Sequence, residues 1–275
     1  MTPVALQRTT GRGAVGFKTR DGKTVLDTLH QQGAAKIRLP KPVDSRIADA
    51  VLINTSGGLT GGDRLDFDVN AGPGTHGRVA TQASEKVYRA SSGVTEVVNR
   101  ITIGPAARLD WLPQETILFD RSALSRSLTV DMAADAIFLA VESTVFGRAA
   151  MGEILNAGFF SDRWRIRHAG ELVFADETRL HGGIAAKLNA SATGAGCQAV
   201  ATLVYLGPDV TAAGDRLQAA FDCDPLAGAS AWGPDGRARL VSRMLAPTGQ
   251  ALREKVAIAL QAVDPALQLP KVWMC

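Results

Sequence analysis

Four glycines in two adjacent pairs, Gly57-Gly58 and Gly61-Gly62, fall inside the stretch from Leu52 to Asp68, with only Leu59-Thr60 between them. Apolar residues lead in from Ala50 to Ile53. On the far side, Leu65, Phe67 and Val69 alternate with Arg64, Asp66 and Asp68. A period of two marks a strand, so the stretch reads as strand, glycine turn, strand. Paired glycines admit positive φ or close backbone approach, and a single tight turn does not use four of them. One explanation is an ordinary hairpin turn. Another is a phosphate-cradling loop, but Gly-Lys-Ser/Thr is missing and the spacing is not that of a dinucleotide fingerprint. The following segment also reads as a strand rather than a helix.

Short alternating runs recur along the chain. Lys36-Ile37-Arg38-Leu39 ends at Pro40 and Pro42, and Ala71-Gly72-Pro73-Gly74 predicts a turn before a strand from His76 to Thr81. Arg100–Ile103, Leu109–Trp111 and Ser127–Met132 are further strand segments. Ala136 to Phe146 is a longer apolar run, rich in β-branched and aromatic residues, and predicts a strand buried on both faces. Arg163–His168, Ala169-Gly170 and Glu171–Phe174 predict a hairpin with Arg163, Arg165 and Arg167 on its outer face. Residues 1–20 are polar and glycine-containing, and predict a loosely held arm or an edge strand. Two amphipathic helices come late: Val210, Ala213, Leu217, Ala220 and Phe221 share one face, as do Leu252, Val256, Ala259, Leu260 and Val263. Both are expected to cover a core or to dock a partner. With no linker or internal repeat, residues 1–275 form one expected domain, mainly β, in a sandwich, barrel or helical stack.

The charge balance of 30 basic and 27 acidic residues, net +3, carries no basic run with interleaved aromatics, so nucleic acid is not an expected partner. Cys197, Cys223 and Cys275 are odd in number and widely spaced, which argues against a disulfide framework or structural zinc and for a reducing cytoplasm. No run of about 18 apolar residues exists, so no membrane span is expected. His30, His76, His168 and His181 show no paired metal-ligand spacing, and His168 reads as a packed core histidine. Ser56 lies outside any nucleophile elbow, and Cys197 has no catalytic context.

Four ordered blocks make the chain resemble the urease accessory protein D family, called H in some organisms. They are Asn54-Thr55-Ser56-Gly57-Gly58-Leu59-Thr60-Gly61-Gly62-Asp63, then Thr81-Gln82-Ala83-Ser84-Glu85-Lys86-Val87-Tyr88-Arg89. Trp111-Leu112-Pro113-Gln114-Glu115-Thr116-Ile117-Leu118-Phe119-Asp120 follows, and Gly147-Arg148-Ala149-Ala150-Met151-Gly152-Glu153 comes last. Ala149 stands where the resemblance implies proline or a similar residue. The late Pro270-Lys271-Val272-Trp273 also fits.

The resemblance implies a mostly antiparallel β architecture with helix-like winding of the sheets and two α-helices toward the C-terminal part. It implies a cytoplasmic, non-enzymatic maturation factor that binds accessory proteins F and G and the urease apoprotein. Two copies are expected in the F-containing complex. No cofactor is held permanently, and nickel passes in transit, by an internal passage. The rival expectations are an enzyme using the glycine stretch for a phosphorylated ligand, and a purely structural scaffold.

Carboxylates are acceptable ligands for a divalent ion in transit. Asp63, Glu85, Glu115, Asp120, Glu142 and Glu153 all sit in or beside the blocks. Asp63, Glu85 and Glu142 are the expected lining of the passage. The alternative has Asp63 capping a turn, and Glu85 and Glu115 pairing with nearby bases such as Lys86, Arg89 or Arg121. On the expected strand, Glu142 points with Phe138, Ala140 and Phe146 and must find a donor, a proton or water. Three outcomes stand: an arginine ion pair, a solvated sheet edge, or a hydrated passage shared with Asp63 or Glu85.

Overall fold

The period-two runs become strands that alternate between two facing sheets as the chain advances. The computed structural model describes residues 7–41, 44, 46–148, 151–234 and 236–274. The first six residues of the expected arm, Pro42, Ala149, Ala150 and Cys275 lie outside the described residues.

Strands β1 (Thr10–Arg20) and β2 (Lys23–Gly33) open the seven-stranded sheet as a hairpin, and β3 (Ala35–Arg38) pairs antiparallel with β4 (Ile47–Asn54) in the ten-stranded sheet. From β4 the chain winds. β5 (Arg64–Ala71) lies in the first sheet and β6 (His76–Thr81) in the second, followed along the chain by short β7 (Glu85–Val87). β8 (Thr95–Ile103) returns to the first sheet and β9 (Arg108–Trp111) to the second, followed by short β10 (Thr116–Leu118). β11 (Ala123–Met132), β12 (Ile137–Phe146) and β13 (Ala157–His168) continue the alternation.

Each strand therefore pairs parallel with its equivalent one coil earlier: β5, β8, β11 and β13 in one sheet, β4, β6, β9 and β12 in the other. The sheets are mixed, with a parallel, solenoid-like centre, which corrects the expectation of a mostly antiparallel architecture. Antiparallel pairing is confined to the flanks. β14 (Glu171–Gly183) pairs with β13, and β15 (Ala199–Leu206), β16 (Ala227–Trp232) and β17 (Arg239–Ala246) extend the ten-stranded sheet.

Two further expectations change. β1 is neither an arm nor an edge strand, because it lies between β2 and β5 and pairs parallel with β5. The glycine stretch is not a hairpin turn either, since β4 and β5 belong to different sheets and the stretch is a corner of the winding. At that corner Gly58 has φ +145°, and a Cβ there would stand 2.3 Å from the Tyr88 ring. At Gly61 close approach is the constraint, because a Cβ would meet the Ser92 carbonyl oxygen at 2.4 Å.

Among the described residues there are three α-helices rather than two: α1 (Ile184–Asn189), α2 (Val210–Ala220) and α3 (Gly249–Val263). Thr248 caps α3 by accepting from the Ala251 amide at 3.2 Å, and Pro265 lies just beyond its end. The α3 face expected from spacing is the buried one, and on α2 it is Val210, Ala213 and Leu217 that are buried, with Ala220 exposed.

β12 has to be apolar on both faces because it lies between two cores. Phe138 and Ala140 pack between the sheets with Leu109, Trp111 and Trp164, whereas Leu139 and Val141 pack under α2 and α3. Burying each of Phe138, Leu139 and Val141 contributes about 1.5–3 kcal/mol. The two late helices thus cover a core, as one of the two expectations for them had it.

Candidate functional site

Glu142 sits in the middle of β12, 3% exposed, on the face that looks across at the other sheet. Its Oε2 lies 2.8 Å from Nε of Arg126, and its Oε1 accepts from the Trp111 indole at 2.9 Å. Arg126 belongs to β11 in the seven-stranded sheet, so the pair ties the two sheets together. In the parallel register Arg126 stands beside Asp162 of β13, and the guanidinium donates to both of its carboxylate oxygens, at 3.0 and 2.7 Å. Thr116 and Thr144 hydroxyls take further guanidinium hydrogens, at 3.1 and 3.3 Å.

Two buried carboxylates thus share one guanidinium. Such a cluster carries a net negative charge unless a proton or another cation joins it. Burial raises the carboxyl pKa of Glu142. The Arg126 charge works against that rise, and the neighbouring Asp162 charge adds to it.

Beside Glu142 is an internal cavity of about 60 Å³, room for roughly two waters. Glu85, on β7, lines the same cavity together with Trp111, Thr116 and Arg126. A second, outer cavity of about 260 Å³ opens by Gly57 and Gly58. Leu52, Phe67, Thr81 and Glu85 line both, so Glu85 stands in the wall between the interior and the glycine corner. Asn54 holds it, with the side-chain amide donating to its two oxygens at 3.1 and 3.2 Å. Burial pushes the Glu85 carboxyl up to about 7, against the Asn54 hydrogen bonds.

The structure therefore brings Glu85 and Glu142 to one cavity, and among the described residues no base pairs with Glu85. Asp63 is elsewhere: its two oxygens accept from the backbone amides of Thr9 and Thr60, each at 2.8 Å, and clamp the glycine corner. Glu115 accepts from Ser84 Oγ at 2.7 Å and faces Arg253 of α3 at 3.5 Å. Gln114 donates to the Thr81, Gln82 and Val272 carbonyls, tying the Pro113 bend to the chain's end. Asp120 accepts from the amides of Asn156 and Ala157, and Glu153 pairs with Arg148. Tyr88 and Arg89 follow β7, where the Arg89 carbonyl accepts from Thr60 Oγ1 at 2.9 Å. Gly62, Gly147 and Gly152 adopt positive φ. His168 is buried against the Ala134 carbonyl at 3.0 Å, a packed core histidine.

Arg126 and Asp162 are absent from the motif blocks, yet a signal for them exists. Leu124, Arg126, Leu128, Val130 and Met132 form one inward series. Phe160, Asp162, Trp164, Ile166 and His168 form another. A charge inside each series is the mark of a buried partner.

The class these features define is a two-sheet, solenoid-like β protein that carries an acidic cluster and a small cavity in its interior. Among the described residues no group of three or more His, Cys, Asp and Glu side chains is placed to hold a metal ion, and no helix is long and apolar enough to cross a membrane. Residues 9–274 match the family UreD, described as UreD urease accessory protein. The sequence is 49% identical over 267 residues to the urease accessory protein UreD of Rhizobium johnstonii, covering 97% of this chain and 96% of that protein. It is 50% identical over 267 residues to the protein of the same name from Rhizobium leguminosarum bv. trifolii, with the same coverage. With that from Agrobacterium fabrum the identity is 46% over 271 residues, covering 98% and 93%. The chain belongs to the UreD family of urease accessory proteins, and membership implies a role in urease maturation.

Proposed function

We propose that the chain is a non-enzymatic maturation factor that joins accessory proteins F and G on the urease apoprotein in the cytoplasm, two copies to a complex. In this reading it passes nickel through its interior toward the urease active site. The observation that supports the passage is the excess of carboxylate over guanidinium at the Glu142 cavity, with Glu85 in the wall between that cavity and the glycine corner. An excess negative charge in a low-dielectric interior attracts a cation strongly.

The donors are carboxylate, indole-bonded or amide-bonded, without imidazole or thiolate. Such a set suits brief residence of a borderline metal rather than a resident site. Nickel is the cargo, and each ion that enters displaces a proton from a carboxyl whose pKa burial has raised.

The test is reconstitution of urease from apoprotein, F, G, nickel and GTP, with and without this chain. The reading expects activation to require it and F to co-purify with it. Activation at the same rate without it, or failure to retain F at low salt, would overturn the reading.

A further inference from the structure

We propose that the end face around Tyr88, Met151 and Ile154 is the docking surface for an acidic protein partner that carries apolar anchors. This rests on the reading that the chain works within a protein assembly. Three large apolar side chains stand in solvent here: Tyr88 is 39% exposed, Ile154 53% and Met151 74%.

The surface beneath them is held in place. Tyr88 sits edge-on to Phe119 with ring centroids 4.8 Å apart, and its hydroxyl donates to the Gly57 carbonyl at 3.2 Å. The Arg148 guanidinium lies 4.2 Å from the centre of the Phe119 ring and pairs with Glu153. Glu153 accepts from the Asp120 amide at 3.1 Å, and Asp120 in turn accepts from the Asn156 amide at 2.8 Å. A surface fixed before binding loses little freedom on binding. Exposed tyrosine and methionine with arginine at the rim are what protein interfaces favour.

Charge decides the partner. The carboxylates of this face are already matched, Glu153 by Arg148 and Asp120 by Arg121 at 3.8 Å. Lys86 and Arg89 are exposed and form no ion pair among the described residues. Arg8, against Gly62, reaches the Ser92 hydroxyl at 3.4 Å and forms no ion pair among the described residues. Three cations are thus left over around an apolar centre, and a partner with acidic groups around apolar anchors complements them. An anionic membrane fits less well, because lipid-binding clusters hold about four to eight cations and Glu153 and Asp120 lie among the apolar residues.

The test titrates purified accessory protein F into the full chain and into the double variants Met151→Asp/Ile154→Asp and Lys86→Glu/Arg89→Glu. Both pairs are solvent-exposed, so unchanged thermal unfolding is expected. If the apolar pair shifts it, the charge pair carries the test. Each double variant should weaken binding at least about tenfold, and added salt should weaken the wild type. Variants that bind F as tightly as the wild type overturn the surface assignment and leave the functional reading intact. A wild-type chain that captures neither F nor the urease apoprotein overturns that reading itself. Binding to phosphatidylglycerol vesicles in place of protein, lost in the same variants, would assign the face to a membrane and overturn the proposal.

Discussion

Arg126→Met keeps the length and much of the volume of the side chain but removes the charge that Glu142 and Asp162 share. Both carboxylates are more than nine-tenths buried, at 3% and 7% exposure. Breaking a buried pair by removing one partner costs about 3–5 kcal/mol, and here two anions lose their counter-charge at once. For a chain of this size that corresponds to a fall in melting temperature of roughly 6–20 °C. The loss must depend on pH. Burial already raises the folded-state pKa of Glu142 and the Arg126 charge opposes that rise. Without Arg126 it therefore lies further above its unfolded value, the folded state binds more protons, and stability falls as pH rises. The penalty is therefore largest at pH 8 and shrinks toward pH 5. Glu142→Gln is the control: Arg126 keeps Asp162 and the indole keeps an acceptor, so the change should stay within about 1 kcal/mol. Paired urea melts of both variants at the two pH values measure this. A loss below about 1 kcal/mol for Arg126→Met, or one that is equal at both pH values, would refute the shared-guanidinium account.

Glu85 has a folded pKa of about 7 against 4.5 unfolded. Its ionisation therefore withdraws stability as pH rises through that window, and Glu85→Gln should recover about 1–3 kcal/mol at pH 8 and nothing at pH 4. Melting curves across pH show it, and a flat difference would place the carboxyl in open solvent. Gly61→Val and Gly58→Val should damage folding before any single contact, at Gly61 through the Ser92 carbonyl and at Gly58 through Tyr88. A soluble, normally melting Gly61→Val chain that had lost one partner would make the corner an interface instead. The isolated chain should hydrolyse no GTP or ATP, and turnover abolished by changing Gly57 or Gly61 would contradict that.

The strands were legible because each faces a core on at least one side, and period two survives in Leu65-Phe67-Val69 and in Leu128-Val130-Met132. Their partners were not. Parallel and antiparallel neighbours impose the same alternation, and a corner between sheets uses the same glycines as a hairpin. β12 was readable as a doubly buried strand because both of its faces are apolar, but nothing in it says that one face meets helices. α1, six residues with a single buried side chain, Ile184, lacks the repeat that revealed α2 and α3. Of the cavity, Glu142 stood out as a charge in an apolar run, and Glu85 through its motif block. Arg126 was hidden because the alternation legible in the sequence starts at Ser127, four residues after the strand itself begins at Ala123, and Asp162 by the arginines alternating after it.

Nickel transfer through the Glu85–Glu142 cavity is tested most directly by following the nickel content of urease. The purified assembly receives one equivalent of nickel and GTP, and is built in turn with the wild-type chain and with Glu85→Gln/Glu142→Gln. The double variant keeps the shape and removes the charge. It should fold, retain F, and load urease several-fold more slowly at limiting nickel. Loading at the wild-type rate would mean that neither carboxylate takes part, and that the chain holds the assembly together without conducting the ion.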